Sequence, residues 1–277
     1  MTKKIVITGG AGFIGHNLAL ELKKHYYEVF IVDSLQVNNI ANLTLNFEDL
    51  PFPKLSEKIL KNRISLLDKE EIPLIIQDLR DYGNTSRILE KINPDIIIHL
   101  AAVSHANRSN KDPHNTFDHS LRTLENVLDY SKKRVSHFIY FSSSMVYGNF
   151  NDTEVNEDTN CLPLGIYGAL KLSGEINLEE NVSKTLLLRL PGMYGSDLEE
   201  GSIISRMIKT LINSNSINLT SPKIIRSTIS YSYTAKYIIQ CFKELCMKPD
   251  GFYYGIVGAK QSLNLKEIAS FLLEKKS

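Results

Sequence analysis

Residues 4–15, near the N-terminus, read KIVITGGAGFIG. A short apolar run from Ile5 to Ile7 ends at a group of glycines, and an amphipathic pattern follows over residues 12–24. This order predicts a strand, a tight turn and a helix. Glycines let the backbone of such a turn approach a ligand closely, and the first turn of the helix presents N–H groups that favour a pyrophosphate. We therefore predict a dinucleotide site at this turn.

An acidic residue supports this prediction. Asp33 follows the next predicted strand, residues 28–32, at about 20 residues from the glycines, where a carboxylate can accept hydrogen bonds from an adenosine ribose. Its charge would repel a 2′-phosphate, and residues 34–36 offer no arginine to bind one. The sequence therefore favours NAD over NADP. A tight turn without a ligand is the weaker alternative.

Short apolar runs alternate with longer amphipathic segments along the following part of the chain, and this alternation predicts βαβ units around a parallel sheet. Further strands are predicted at residues 74–76, 96–100, 137–142 and 185–189. Their Ile, Val and Leu content suits strands that are covered on both faces. The fold class is therefore α/β.

Residues 41–71 contain Pro51 and Pro53 and exceed the length of a simple crossover, so we expect an inserted loop and helix there. Beyond Arg189 the strand and helix patterns become irregular. We expect residues 1–190 to form the dinucleotide-binding domain. Residues 191–277 would form mainly a small substrate-binding lobe, with some segments returning to the first domain.

The composition excludes several classes of protein. The chain has 277 residues, of which 43% are hydrophobic, and its formal net charge is +1. Such a balance provides no global field to attract nucleic acid or an anionic membrane. No stretch reaches the roughly 18–20 apolar residues that span a bilayer. The three cysteines lack metal spacing, so we expect reduced thiols, a cytoplasmic location and no metal site.

Five blocks of sequence together resemble one known family. They cover residues 8–15, 78–81, 99–102, 142–148 and 167–171. In their order and spacing they are similar to the NAD-dependent nucleotide-sugar epimerases and dehydratases of the extended short-chain dehydrogenase/reductase family, such as UDP-glucose 4-epimerase, along nearly the whole chain. The resemblance implies a Rossmann-like, doubly wound parallel sheet with a small C-terminal substrate-binding lobe.

The resemblance also implies which residues hold the cofactor. Asp33 and Ser34 would hold the adenosine ribose, Asp78 and Leu79 would flank the adenine, and Pro191 would lie near the nicotinamide. The full set of expected NAD contacts is Gly9, Gly12, Phe13, Ile14, Gly15, Asp33, Ser34, Asp78, Leu79, Leu100, Ala101, Ala102, Tyr167, Lys171 and Pro191.

Three residues are predicted to be catalytic: Ser143, Tyr167 and Lys171. Tyr167 and Lys171 are four apart on a predicted helix, which puts them on one face. An ammonium about 4 Å from a phenol, at an effective dielectric constant of about 20, favours the phenolate by up to roughly 4 kcal/mol. We therefore expect the pKa of Tyr167 to fall toward working pH. Ser143 ends a predicted strand, where its hydroxyl could bind the reacting oxygen.

This centre predicts reversible oxidation of a sugar hydroxyl, in which Tyr167 takes the hydroxyl proton and hydride passes to NAD. Family members that remove water carry an Asp-Glu pair directly after the catalytic Ser or Thr. This chain has Ser144-Met145 there, so dehydration is disfavoured. An epimerase is the first expectation. An NAD(P)H-dependent keto-sugar reductase and a non-catalytic NAD-binding sensor or scaffold are the alternatives.

Departures from the family pattern concern the substrate side. Gly192 stands where the family usually has Asn, and Ser227 and Tyr233 stand where Asp is usual. We expect substrate contacts at Ser143, Ser144, Gly192 and Arg226, with His105 and Arg108 as weaker pocket candidates. The expected substrate is therefore an unusual nucleotide-sugar or related sugar. By the same resemblance, helices near residues 116–132 and 167–181 would pair two chains into a homodimer.

Overall fold

The computed structural model describes residues 2–37, 39–41, 53–103, 106–132, 134–149, 154–181, 184–195, 203–214, 216–223, 225–226, 228–258 and 263–276. The strands are β1 (Lys4–Thr8), β2 (Glu28–Asp33), β3 (Leu74–Ile76), β4 (Ile96–His99), β5 (His137–Ser143), β6 (Lys184–Leu190), β7 (Gly192–Tyr194), β8 (Ile225–Arg226), β9 (Thr228–Ser230), β10 (Gly251–Ile256) and β11 (Leu263–Asn264). The α-helices are α1 (Phe13–Lys24), α2 (Pro53–Lys69), α3 (Tyr82–Ile92), α4 (Ala106–Lys111), α5 (Pro113–Phe117), α6 (Thr123–Ser131), α7 (Ile166–Asn181), α8 (Ile203–Ser214), α9 (Tyr231–Met247) and α10 (Leu265–Lys276). A π-helical turn, Asp118–Arg122, joins α5 to α6, and a 3-10 turn, Ser144–Tyr147, follows β5.

Seven parallel strands form the main sheet, in the order β10-β6-β5-β4-β1-β2-β3. The chain first builds outward from β1 to β3 and then crosses to the other side at β4. Ligands of such doubly wound sheets bind where the strand order reverses, at the carboxyl ends of the strands. The predicted α/β, Rossmann-like fold is confirmed, and the expected site falls beside the ends of β1 and β4.

Both faces of the sheet are buried, because successive side chains of each strand point to opposite sides. Ile5 and Ile7 belong to one apolar cluster, which includes Leu18 of α1 and Phe242 of α9. Val6 belongs to a second cluster on the other face, where α3, α6 and α7 contribute residues such as Leu89, Val127 and Leu178. Because helices pack on both faces of the sheet, its strands appear in the sequence as near-continuous apolar runs.

The predicted first six strands agree with the structure to within a residue or two at each end. The helix expected in the insertion is α2, and its apolar stripe includes the buried Leu60 and Leu67. The sequence did not predict the edge strand β10, which pairs with β6, or helix α9, whose Phe242 packs edge-on against Tyr27. Residues 42–52 of the insertion lie outside the described residues.

A smaller group of elements stands apart from the main sheet. β8 pairs with β11 in an antiparallel ribbon, and β7 pairs with β9 in a parallel one. Helices α8 and α10 share a small apolar cluster built around Ile204, Met207, Leu265 and Ile268. None of the helices within the described residues has the length and apolar character that a membrane span needs.

Candidate active site

The glycine turn between β1 and α1 has the geometry of a dinucleotide cradle. Gly9 has φ +68°, and a Cβ there would lie 2.6 Å from the backbone nitrogen of Ala101, so only glycine fits. Gly12 is the N-cap of α1 and offers no capping side chain, which leaves the helix N-terminus facing a possible anion. A Cβ at Gly12 would approach only the carbonyl oxygen of Gly9, at 3.3 Å, so its outer side is open. These residues fit a bound pyrophosphate.

The residues around Gly12 complete the start of the helix. Phe13 and Ile14 open α1, and Gly15 packs so closely on Gly10 that a Cβ would lie 2.5 Å from its Cα. The guanidinium of Arg63, from the inserted helix α2, lies 5.9 Å from the centroid of the Phe13 ring. The insertion therefore reaches the glycine turn, a contact that the sequence did not indicate.

Asp33 braces the same turn from the end of β2. Its carboxylate accepts the N–H of Ala11 at 3.0 Å and the N–H of Leu35 at 2.8 Å. Burial raises the pKa of Asp33, while these two hydrogen bonds oppose the rise. Each carboxylate oxygen keeps a lone pair, so an adenosine ribose hydroxyl could still donate to it. Ser34 lies beside it and accepts the N–H of Gln36 at 3.3 Å.

Asp78 and Leu79 follow β3 at the outer end of the site. The Nε–H of Arg80 donates a bifurcated hydrogen bond to both carboxylate oxygens of Asp78, each at 3.0 Å, and Nη2 donates another at 2.6 Å. Burial opposes ionisation of Asp78, but the hydrogen bonds and charge of Arg80 outweigh it and lower its pKa. Leu79 is buried, and its carbonyl accepts from the Asn126 side chain at 2.8 Å.

Leu100, Ala101 and Ala102 continue from β4 past the glycine turn. Leu100 donates its N–H to the carbonyl of Thr8 at 2.9 Å, and Ala101 lies against Gly9. His99 ends β4 inside the sheet, where its Nδ1 hydrogen-bonds the hydroxyl of Thr8 at 2.8 Å. Burial lowers the pKa of His99 to about 3. This histidine is therefore neutral and packed against its neighbours.

Ser143 and Tyr167 meet at the end of β5. Ser143 is only 8% exposed, and its hydroxyl accepts the N–H of Met145 at 3.2 Å, which caps the 3-10 turn. Burial raises the pKa of Tyr167, and a hydrogen bond with Ser143 partly lowers it again. The expected fall in the pKa of this phenol is absent from the protein alone, because burial penalises the phenolate.

Lys171 lies one helical turn beyond Tyr167 and points into the same region. Its Nζ donates to the carbonyl of Phe141 at 2.7 Å and lies 4.9 Å from the centroid of the Tyr140 ring. Burial lowers the pKa of Lys171 to about 8, and the charge of Glu175 opposes the fall. The ammonium is thus tied to the strand that carries Ser143, two residues before it.

The remaining predicted residues lie on the substrate side. Pro191 directly follows β6, whose last residue, Leu190, is the cross-strand neighbour of Ser143. Ser144 begins the 3-10 turn, and Gly192 is the exposed first residue of β7. The backbone of Arg226 lies in β8, but its side chain and those of Arg108 and Tyr233 fall outside the described part of the structure, as do His105 and Ser227 altogether.

A buried polar cluster behind the site was not predicted from the sequence. It consists of Ser142, Tyr147, Glu175 and Arg189, and we call it the Glu175–Arg189 cluster. Arg189 donates to the Glu175 carboxylate from Nε at 3.2 Å and from Nη2 at 2.7 Å, and its Nη1 donates to the Tyr147 hydroxyl at 2.7 Å. Ser142 donates to the same carboxylate. The only signal was the spacing of Tyr167, Lys171 and Glu175, which repeats every four residues.

The described ranges hold no group of three or more His, Cys, Asp or Glu side chains placed to bind a metal ion. The described site offers a phenol, an ammonium, a hydroxyl and the glycine cradle. The arrangement can bind a dinucleotide along the strand ends and exchange a proton at Tyr167.

Comparison with known proteins decides the family. A profile of the NAD dependent epimerase/dehydratase family matches residues 5–227, which is most of the chain. The chain belongs to this family. The resemblance inferred from the sequence is thereby confirmed, and with it the dependence of the family on NAD, which the glycine cradle fits.

Several curated relatives within the family are similar to this chain. UDP-arabinose 4-epimerase 1 of Arabidopsis thaliana is 30% identical over 203 residues, covering 70% of this chain and 44% of that protein. The dTDP-D-glucose 4,6-dehydratase of Dictyostelium discoideum is 30% identical over 231 residues, covering 76% of this chain and 48% of that protein. Protein CapI of Staphylococcus aureus is 26% identical over 253 residues, covering 89% of this chain and 70% of that protein. The chain thus spans less than half of the first two relatives.

Solved structures of the family share the fold. UDP-glucuronic acid 4-epimerase from Bacillus cereus, in complex with UDP-glucuronic acid and NAD, superposes with a TM-score of 0.81 at 23% identity, covering 99% of this chain and 83% of that one. UDP-N-acetylglucosamine 4-epimerase from Methanobrevibacter ruminantium superposes with a TM-score of 0.79 at 23% identity, covering 100% of this chain and 83% of that one. At this level of identity the likeness supports the fold.

Proposed function

We propose that this protein is an NAD-dependent epimerase that acts on a nucleotide-linked sugar by transient oxidation of one sugar hydroxyl. The observation that carries the proposal is the meeting of Ser143 and Tyr167, with Lys171 one turn away, at the strand ends beside the glycine cradle. UDP-sugars are the first candidates, because relatives and structural neighbours are named as 4-epimerases of UDP-arabinose and UDP-glucuronic acid.

Three side chains of this site have different roles in the proposed reaction. Tyr167 takes the proton of the sugar hydroxyl and later returns it, while Ser143 donates a hydrogen bond to the reacting oxygen. Lys171 supplies a positive charge close to the phenol and a donor for ribose hydroxyls. NAD, when bound, would supply the acceptor and donor of hydride for the sugar carbon. The oxidised nicotinamide is cationic, so its binding would lower the pKa that burial raises at Tyr167.

The cofactor contacts proposed here extend along the strand ends. Gly9, Gly12, Phe13, Ile14 and Gly15 would hold the pyrophosphate. Asp33 and Ser34 would hold the adenosine ribose, and the other members of the set are Asp78, Leu79, Leu100, Ala101, Ala102, Tyr167, Lys171 and Pro191. On the substrate side we propose Ser143, Ser144, Gly192 and Arg226. Dehydration stays disfavoured, because Ser144 and the exposed Met145 provide neither an acid nor a base.

Two broader features belong to the same proposal. We propose that the protein works as a homodimer, because exposed apolar side chains such as Ile176, 58% exposed, lie on a helix that the family resemblance assigns to dimer contact. We also propose a cytoplasmic location, since Cys161, Cys241 and Cys246 carry free thiols. Thiol labelling after cell fractionation would test the location.

A sugar panel tests the function. The protein is incubated with UDP-, dTDP-, GDP- and CDP-sugars, beginning with UDP-arabinose and UDP-glucuronic acid, and products are followed by NMR without added NADH. We expect one sugar to be converted to its epimer. Conversion only with stoichiometric NADH would indicate the reductase instead, and no conversion despite tight NAD binding would indicate the non-catalytic sensor.

The variant Tyr167→Phe isolates the chemical role of the phenol. We expect turnover to fall by roughly 10²- to 10⁴-fold, the usual contribution of a positioned acid–base group, while NAD still binds. Tyr26→Phe is the matched control, because Tyr26 is 88% exposed at the far end of α1. Unchanged turnover in Tyr167→Phe would refute the proposed mechanism.

A further inference from the structure

An ion pair lies buried one helical turn beyond Lys171, and no step of the proposed reaction uses it. The side chains of Glu175 and Arg189 are only 7% and 10% exposed. A buried ion pair is weak evidence for a stabilising role, because well-packed apolar side chains of similar volume often stabilise a protein as well or better. The position of the pair, between the catalytic helix and the strand ends, indicates another role.

Glu175 connects α7 to two strands at once. Ser142 of β5 and Arg189 of β6 are cross-strand neighbours, and both donate to its carboxylate. Because Tyr167, Lys171 and Glu175 recur every four residues, they share one side of α7. The contact therefore fixes the depth at which that side of the helix sits against the ends of β5 and β6.

Arg189 extends the connection to the segment that follows the catalytic serine. Its guanidinium donates to the Tyr147 hydroxyl and lies 5.0 Å from the centroid of that ring. Tyr147 in turn donates to the carbonyl of Asn156 at 3.1 Å. Arg189 is also two residues before Pro191 in the chain. One side chain thus links the turn after Ser143 to the strand that leads toward the expected nicotinamide position.

We propose that Glu175 and Arg189 are a positioning pair for the reaction, which holds Tyr167 and Lys171 in register with Ser143 and keeps a negative charge beside Lys171. The proposal rests on the proposed oxidation chemistry for its kinetic consequences only. Its structural consequence, the support of a charged Lys171, can be measured on the protein without any substrate.

Titratable groups from three neighbouring elements face Lys171. From its own helix these are Tyr167 and Glu175. From β5 it is Tyr140, whose pKa burial raises, and from β4 it is His99, whose pKa burial lowers to about 3, so both are neutral at working pH. Among the described residues, Glu175 is therefore the charged group that supports the ammonium, and Arg189 lies behind it.

Two substitutions at Glu175 separate the effect of its charge from the effect of its side-chain length. Glu175→Gln keeps the shape but removes the charge, so the pKa of Lys171 should fall below its present value of about 8. Glu175→Asp keeps the charge but shortens the side chain, so this pKa should stay near its present value while positioning is lost. For both variants we expect kcat to fall roughly tenfold to hundredfold, with a smaller change in KM, because small displacements of catalytic groups have effects of that size.

The readouts are chosen so that the two proposals can fail separately. Lysine-selective NMR follows the titration of Lys171 in the protein alone, with Lys171→Met to assign the signal, and kcat and KM are measured against pH on the sugar that is converted. Glu21→Gln is the matched control, because Glu21 pairs with Lys24 at 3.1 Å on the exposed end of α1. The control should match the wild-type protein in both measurements.

Two outcomes are decisive. A lower titration midpoint for Lys171 in Glu175→Gln but not in Glu175→Asp supports the positioning pair, even if no sugar is turned over. A folded Glu175→Gln protein with the wild-type midpoint overturns it. If Glu175→Gln does not fold, the double variant E175Q/R189M removes both charges and takes its place. A wild-type midpoint in that variant also overturns the proposal, because the charge of Glu175 acts directly on Lys171.

Discussion

Lys171 is a cation that the fold holds almost entirely out of water. Its pKa falls from 10.5 to about 8 through burial, so the folded state disfavours the charged form that the proposed chemistry needs. A lowering of that size corresponds to about 3 kcal/mol of stability lost at neutral pH, as an upper bound. Active sites commonly accept such a cost, because the group that destabilises the fold is the one that does the chemistry.

This cost predicts a pH dependence with a definite sign. Between pH 8 and pH 10.5 the unfolded chain binds more protons at Lys171 than the folded chain does, so stability rises with pH in that window. Relative to Lys171→Met, the wild-type protein should therefore gain up to about 3 kcal/mol from pH 8 to pH 10.5. Urea unfolding of both proteins at several pH values measures the difference. Lys61→Met, at an exposed side chain, is the control: the wild-type protein should show no such gain relative to this variant, which keeps Lys171. Parallel curves for wild type and Lys171→Met would contradict the prediction.

At the scale of elements, the sequence predicted best where local pattern and tertiary environment agree. Strands β1, β2, β4, β5 and β6 are apolar runs that are largely buried on both faces, and the short edge strand β3 is also apolar, so periodicity alone located them. The edge strand β10 and helix α9 were missed, because their place depends on pairing with β6 and packing on α1, which no local pattern encodes. The residues Tyr231 to Tyr233, interpreted as part of a substrate block, begin that helix.

The same reasoning applies to the site. Ser143, Tyr167 and Lys171 were predicted from their spacing and from the family resemblance, and the structure brings Ser143 and Tyr167 into contact with Lys171 one helical turn beyond. The pKa of Tyr167 was predicted in the wrong direction, because the extent of burial cannot be read from spacing. Arg189 and Ser142 were missed as partners of Glu175 because they become neighbours only through the register of β5 and β6.

Alanine substitutions in the glycine turn between β1 and α1 should separate an effect on the free energy of unfolding from an effect on NAD binding. Gly9→Ala combines φ +68° with a 2.6 Å contact to Ala101, so it should lower the free energy of unfolding by about 1–3 kcal/mol or more. Gly12→Ala has an allowed φ of −74° and only one close neighbour, so its cost should stay within about 1 kcal/mol.

If a pyrophosphate lies against the open side of Gly12, however, the Gly12→Ala variant should bind NAD at least about tenfold more weakly, a loss of about 1.4 kcal/mol in binding free energy. Calorimetric titration with NAD, alongside urea unfolding, measures both quantities. Gly83→Ala, where a Cβ meets only atoms at 3.7 Å, is the control for a harmless added methyl group. A stable Gly12→Ala protein that binds NAD as tightly as the wild type would place the cofactor elsewhere.

At the scale of the whole molecule, the proposed homodimer has a candidate contact surface. A groove between α3, α6 and α7 is lined by residues that include Tyr82, Leu124, Asp129 and Asn177. Tyr82 is 54% exposed and donates from its hydroxyl to Asp129 at 2.7 Å. Exposed aromatic and aliphatic side chains on neighbouring helices are typical of an interface in which the same helices of two chains pack together about a two-fold axis.

Ile176 provides the test, because it is 58% exposed on α7, the helix that carries Tyr167 and Lys171. In a two-fold interface Ile176→Glu introduces two like charges in one contact, so we expect dimer affinity to fall roughly hundredfold, a loss typical of a hot spot. Size-exclusion chromatography with light scattering at micromolar protein measures the shift from dimer to monomer. Ile212→Glu is the matched control, since Ile212 is 68% exposed on α8 and is not one of the residues that line the groove. A dimer that persists in Ile176→Glu, or a wild-type monomer, would show that this helix face does not pair two chains. In that case nothing outside the chain braces α7, and its register would depend entirely on contacts such as those of Glu175.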